Sequence, residues 1–378
     1  MTDKSDHDES TPVSRRDVLE LLSVATVSGM AGCGGDTDGN GSTPTATLTP
    51  TPTMEESEET DAETDTPTDT PTPTDTPTPM LDEERKVVFL TGRASHGFME
   101  HSFTAGTTLL ADRLEANTEN VTTHIADKWP DDPDTVFEDV DAVVMYFDGG
   151  TGHPVNQHEQ ELQRLAEQGG TGLVPIHYAC EVPEDRGHVM LEGLGGYFEP
   201  YYSVNPFWTA EFSELPSHPI TSGVNPFSIH DEWYYHMRFT EDMEAVTPIL
   251  TDLPPDESIT DRWSPDQDAD IRHGNQTVYE AVVENDEAQH MAWAYEGDFG
   301  NRGFGFTGAH YHWNWGHDQF RDLVLNGIAW AARMKLPQEG ITSETPTVDE
   351  LLENLDYDQP NDFDRTEIED KLESWNSG

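Results

Sequence analysis

Basic residues are scarce in this 378-residue chain: 19 Lys and Arg stand against 75 Asp and Glu, a formal net charge of −56. A surface so uniformly negative repels a phosphate backbone, which excludes a nucleic-acid partner. It also repels itself, and concentrated salt is needed to screen that repulsion. The composition therefore implies a salt-adapted, haloarchaeal-type host. Cysteine is nearly absent. Cys33 and Cys180 are the two thiols, and the first falls in the targeting segment, so neither a disulfide framework nor a cysteine-based zinc site is available. The apolar stretch near the N-terminus, Leu21 to Ala31, is too short to span a bilayer. High charge with low hydrophobicity is also a signature of disorder. However, 9 Trp, 11 Tyr and 15 Phe, most between Lys86 and Trp330, argue for a folded domain under an acidic surface.

What is present begins with targeting. Ser14-Arg15-Arg16-Asp17-Val18-Leu19 reads as a twin-arginine export signal, followed by the short apolar stretch and a lipobox-like Met30-Ala31-Gly32-Cys33. Residues 1–33 are thus expected to be a lipoprotein signal, with Cys33 carrying lipid at the outer face of the cytoplasmic membrane. Residues 34–84 are Thr, Pro, Asp and Glu, and read as a semi-extended stalk. Asn40, Asn120 and Asn275 head three Asn-X-Ser/Thr triplets, the acceptor pattern for N-glycans. From Pro337 the sequence turns acidic again, so 338–378 reads as a tail with one or two short helices, resting on the domain or solvated.

Between these segments the hydrophobic pattern predicts an α/β domain over 85–337. Strands are expected at Lys86–Thr91, Val121–Ile125, Asp141–Phe147 and Leu173–His177, with helices from His101 to Leu114 and Gln157 to Gln168 between them. Alternation of this kind gives a mainly parallel sheet with helices on both faces. Further strands are expected at Phe207–Phe212, Ala245–Leu250, Val278–Val283, His290–Ala294 and Gly303–Gly308, and a closing helix at Asp318–Met334. Ligands bind beyond the carboxyl ends of the strands in such sheets. That is where His96, Asp148, His153 and His177 fall.

Three groups carry candidate chemistry. With a helix starting near Phe98, His96, Glu100 and His101 meet at one pocket mouth, as metal ligands or as an acid–base pair; the bland alternative is helix capping. In Asp231-Glu232-Trp233-Tyr234-Tyr235, adjacent carboxylates of an extended segment point to opposite faces, so one of them enters a pocket. Rings beside it suit the apolar face of a sugar. In His310-Tyr311-His312-Trp313-Asn314-Trp315, alternate spacing places His310 and His312 on one side, where with His177 they form a metal site or a proton-transfer pair.

These residues also carry a resemblance. Ser95-His96-Gly97 with Glu100-His101, Asp148-Gly149-Gly150 with His153-Pro154, and His177-Tyr178-Ala179 resemble the trehalose-utilisation (ThuA-like) family. So do Gly195 to Glu199, Ser203 to Pro206, His218-Pro219-Ile220, Asp231 to Tyr235, and Gly303 to Trp315. The resemblance implies a three-layer, flavodoxin-like sandwich similar to class I glutamine amidotransferases. Those enzymes place a nucleophilic Cys on a tight strand-to-helix turn. Here His177 or Tyr178 takes that place and Cys180 lies beyond it, so glutamine hydrolysis is not expected. The resemblance further implies carbohydrate use, of disaccharides or keto-sugar derivatives.

The expected function is acid–base chemistry on a small carbohydrate, carried by His96, His101, His177, Asp231, Glu232, His310 and His312. Glu100, Asp148, His153, Tyr178, Trp233, Tyr235 and Trp315 are expected to bind the substrate. A divalent metal is the one cofactor candidate. The alternatives are a non-catalytic sugar-binding module and a structural envelope protein.

Overall fold

The computed structural model describes residues 84–377; the export signal, the lipobox Cys33, nearly all of the stalk and Asn40 lie outside them. In chain order the elements are β1 (Arg85–Thr91), α1 (Phe103–Asn117), β2 (Val121–Asp127), α2 (Pro133–Val136), β3 (Ala142–Tyr146), α3 (Val155–Gly169), β4 (Gly172–Pro175), α4 (Gly187–Leu194), β5 (Gly196–Tyr197), β6 (Phe207–Phe212), β7 (Phe227–Glu232), β8 (Arg238–Phe239), β9 (Val246–Asp252), α5 (Glu257–Thr260), α6 (Gln276–Tyr279), β10 (Gln289–Glu296), β11 (Arg302–Phe306), α7 (Asp318–Ala331), α8 (Val348–Leu351) and α9 (Arg365–Asn376).

Seven strands form one sheet in the order β2-β1-β3-β4-β11-β10-β9. The pairs from β2 through β11 are parallel, while β10 and β9 are antiparallel. The start of this order, with the crossover at β1/β3, is the doubly wound flavodoxin-like arrangement. Alternation along the buried strands builds three layers. Val87 and Phe89 of β1, and Val144 and Tyr146 of β3, face the side packed by α1 and α7. Val88 and Leu90, with Val143 and Met145, face Leu162 and Leu165 of α3 and Val189, Met190 and Leu194 of α4. In β11 the missing side chain of Gly303 is needed: a Cβ there would lie 2.7 Å from the Cα of Leu194. The expected close backbone approach is present.

Two expectations fail. Val278–Val283 is not a strand. Asn275 caps α6 by accepting from Val278 N, and the chain continues as a π-helical turn from Glu280 to Glu284, so a local cap outweighs the β-branched composition. Asn275 is also buried, with its amide donating to the Tyr201 and Tyr202 carbonyls, which leaves it no room for a glycan. The second failure is the start of α1, which begins at Phe103 rather than near Phe98.

The segment after Pro337 packs on the domain. Val348, Leu351 and Ile368 are buried, and the Trp375 ring lies 5.4 Å from that of His317, tilted against it. Arg321, fully buried, donates to the Trp315 and Ser343 carbonyls and to Asp318.

Candidate metal centre at the carboxyl ends of the strands

Four buried side chains converge beyond the carboxyl ends of β1, β4, β7 and β11. The donor atoms of His101, His177, Glu232 and His310 all lie within 4.8 Å of one another. Glu232 ends β7, and the three histidines arrive on loops whose backbone is unusual. His101 has φ 42°, His177 φ 55°, and Ala309, just before His310, φ 83°. Left-handed conformations are costly for non-glycine residues and persist where surroundings over-determine them. The surroundings here do so. His101 N donates to His310 O (2.9 Å), and His312 N donates to Met99 O (2.8 Å), zipping two loops together. Asp231 accepts from Ala309 N (2.6 Å), His310 N (3.0 Å) and Glu232 N (2.8 Å).

The protonation pattern follows from the partners. His177 Nδ1 lies 2.8 Å from Thr307 O. A carbonyl only accepts, so Nδ1 carries the hydrogen, and in the neutral ring the Nε2 lone pair faces the cluster. That Nε2 is 2.9 Å from His101 Nε2 and 3.4 Å from Glu232 Oε2. His101 Nδ1 faces Ser95 Oγ (3.2 Å), whose hydroxyl donates to Asp148 Oδ1 (2.6 Å). His310 Nδ1 is 3.1 Å from Glu232 Oε2 yet makes no hydrogen bond in the direction it points. Burial, with the imidazoles of His177, His310 and His96, drives the His101 pKa far below its usual range, so its ring is neutral. Burial alone would raise the Glu232 pKa, but the adjacent His177 and His310 rings outweigh it and hold the pKa below the usual carboxylate range, so it is a carboxylate.

Imidazoles with converging nitrogens, beside a carboxylate, are the donor set of a transition-metal site. Donors of a tetrahedral site with bonds of about 2.1 Å stand about 3.4 Å apart; here the close pairs are 2.9–3.4 Å apart and all donors lie within 4.8 Å of one another. The outward nitrogens of His177 and His101 are held by a carbonyl and by a Ser–Asp pair, as ligating histidines require. The residues fit a divalent ion such as zinc.

The expected residues sort clearly. Of the two adjacent acids, Glu232 enters the cluster and Asp231 turns away to anchor backbone; it is not at the reacting surface. Tyr234, two residues on from Glu232 and so on the same side, brings its hydroxyl 3.3 Å from His177 Nε2 and 3.5 Å from Glu232 Oε2. Trp233 and Tyr235 take the other side. Trp233 packs against Phe212, Phe306 and Phe320, and the Tyr235 hydroxyl bonds to Ser258; both are core, as is Trp315 beside Phe320. His312 does not join His310, because a 3-10 turn begins at His312 and breaks the alternation. Its buried ring meets the Leu351 backbone instead. His153 is buried against Phe147 and accepts from Val155 N, forming part of a turn. Glu100 accepts from Gly97 N within its loop.

At the mouth stand exposed His96, its ring 3.8 Å from that of His101, and half-buried Tyr178 and Asp148. Phe207, which sequence reasoning missed, is 45% exposed with its ring 4.9 Å from that of His310. Also unforeseen is Arg272, which donates through Nη2 and Nε to buried Glu181 (2.6 and 2.7 Å) and through Nη2 to the Tyr178 hydroxyl. His177 occupies the tight turn after β4. Cys180 lies buried beyond it, its thiol near the Pro175 and Phe306 carbonyls and its pKa pushed by burial up to about 12.

Among known proteins, the trehalose utilisation family, ThuA, matches residues 86–331. No curated protein matches the chain. Solved structures similar to it include a ThuA-like protein from Bacteroides uniformis, 14% identical with a TM-score of 0.44, covering 68% of this chain and 95% of that one. Another is a ThuA-like protein from Parabacteroides merdae, 14% identical with a TM-score of 0.40, covering 70% and 98%.

Proposed function

The chain belongs to the trehalose-utilisation (ThuA) family, and from that premise we propose that it is an enzyme acting on a disaccharide or keto-sugar derivative at a divalent-metal centre. The observation that carries the reading is the convergence of buried His101, His177, His310 and Glu232, their donor atoms within 4.8 Å of one another and two of them, His101 and His177, held at positive φ. A cation held by these four residues would supply Lewis-acid polarisation of a sugar hydroxyl or carbonyl oxygen. The chain's own residues do the rest. His96, exposed at the mouth, takes or gives a proton on the solvent side. The Tyr234 hydroxyl, within reach of Glu232, donates on the buried side. Phe207 offers a ring to the apolar face of a sugar. The proposal extends to location: export by the twin-arginine route and lipid attachment at Cys33 would hold this domain outside the cell on its acidic stalk.

Metal analysis of the purified protein, with turnover on a panel of disaccharides and their keto derivatives, tests the reading. About one equivalent of metal is expected, lost in His177→Ala, with turnover abolished by a chelator and restored by zinc. Sugar binding without turnover, unaffected by chelator or by His177→Ala, would overturn it in favour of a binding module.

A further inference from the structure

A hollow of about 270 Å³ lies beside the cluster, at the carboxyl ends of β1, β2 and β3. Arg93 and Lys128 line it. In so acidic a chain cations are few, and among the described residues every other Lys and Arg is engaged with a partner. Arg93 and Lys128 make no ion pair and no side-chain hydrogen bond. The two unpaired cations of the domain therefore line one hollow, next to the candidate metal centre. The hollow is shaped by close packing: a Cβ on Gly92 would lie 2.9 Å from the Cβ of Phe147, another lining residue. Its remaining charge is the Asp148 carboxylate. Asp148 and Ser95 both line the hollow and both reach His101 Nδ1 on the other side, at 3.6 and 3.2 Å.

We propose that this hollow is an anion subsite and that the sugar acted on carries a carboxylate, as a uronic acid does. Two cations less one carboxylate leave a single positive charge, which matches a carboxylate and undercharges a phosphate dianion. A guanidinium takes a carboxylate through two parallel hydrogen bonds, and Phe147 supplies an apolar wall for the ring. The shared Ser95–Asp148 wall places the anion next to the carbon whose oxygen meets the imidazoles. The inference rests on the carbohydrate reading of the neighbouring centre and narrows its substrate class.

The test is calorimetric binding of methyl glucuronide and methyl glucoside to the full chain, at constant salt, with glucose 6-phosphate as a third ligand. The uronide is expected to bind about tenfold or more tightly than the glucoside, the scale of one charge-assisted contact. Arg93→Gln and Lys128→Gln should each reduce that preference at unchanged metal content. Equal affinity for the two glycosides, an equal loss for both in the variants, or tighter binding of the phosphate would overturn the assignment. Uronide preference without turnover on any sugar would sink the enzyme reading alone. Turnover on neutral sugars with no uronide preference would sink the subsite alone.

Discussion

Replacing Asp231 with Asn separates a residue that holds the site from one that performs chemistry. The Asp231 carboxylate is fully buried and accepts three backbone N–H groups, two through Oδ1 and one, from Ala309, through Oδ2. An Asn oxygen can keep the first two. Its amide nitrogen then faces the Ala309 N–H, donor against donor. One buried donor left unsatisfied costs about 1–3 kcal/mol, and loss of charge on the other two bonds adds about 1–2 kcal/mol. The expected loss is thus about 2–5 kcal/mol, or a fall in Tm of roughly 5–10 °C for a domain of this size. Ala309 is held at φ 83° by this same carboxylate, so His310 should drift as the loop relaxes, and metal affinity should fall about 10–100-fold. Glu232→Gln is the control: it leaves the Asp231 bonds intact, so apo stability should hold while metal is lost. Scanning calorimetry on apo and loaded protein, with competition against a chromogenic chelator, reads both quantities. An Asp231→Asn protein with normal Tm and normal metal affinity but no turnover would refute the reasoning and return Asp231 to the reacting surface.

Other outcomes follow from the same geometry. Cys180, buried with its pKa near 12, should resist iodoacetamide at pH 8 until the protein is unfolded; rapid native alkylation would contradict the buried placement. His153 is held neutral, its pKa lowered to about 3 by burial. A base with a depressed folded pKa lends stability that is complete above its unfolded value of about 6.5 and is lost as pH falls towards the folded one. Denaturant melts should therefore lose about 2–3 kcal/mol between pH 6.5 and 4.5 from this group, and His153→Asn, which keeps an acceptor for Val155 N, should flatten that limb. Removing residues 345–378 strips the buried Val348, Leu351 and Ile368, each worth about 1.5–3 kcal/mol, and a truncated chain with an unchanged melting curve would show that the tail adds nothing. Phe207→Ala should weaken sugar binding about tenfold with no loss of Tm, because the ring is exposed; an unchanged affinity would remove it from the sugar's path.

The legible parts of the sequence were those in which one local rule acts alone. The apolar runs that became β1, β3 and β4 cannot be exposed on either face, and β6 shows period-two alternation over Phe207–Phe212. Alternation also separated Asp231 from Glu232, and carried one step further it would have chosen Tyr234 over Trp233 and Tyr235. It failed at His310 and His312 because it assumes extended backbone, and the chain turns at His312. At Val278–Val283 a side-chain cap outweighed composition. Arg272 lies in a stretch without regular structure between α5 and α6, and its partner Glu181 is 91 residues away, so no periodic signal could have joined them.

His177 shows most directly how position changes chemistry. The tight turn after β4, with its left-handed residue, is the place where amidotransferase-like sheets expose a nucleophile to solvent. Here the same turn carries an imidazole whose Nδ1 is tied to the Thr307 carbonyl and whose Nε2 points at His101, Glu232 and the Tyr234 hydroxyl. A ring fixed in that tautomer and fully buried is poorly placed to attack a carbonyl carbon, since no open face meets a substrate. It is well placed to donate its lone pair to a cation. The turn at φ 55° therefore aims a ligand where a thiolate would otherwise stand, and the three other inward-facing groups come from the loop before α1, the end of β7 and the loop after β11. Replacing His177 with Cys would remove one of the four donors. The fold is shared, but the chemistry depends on which atom the elbow presents.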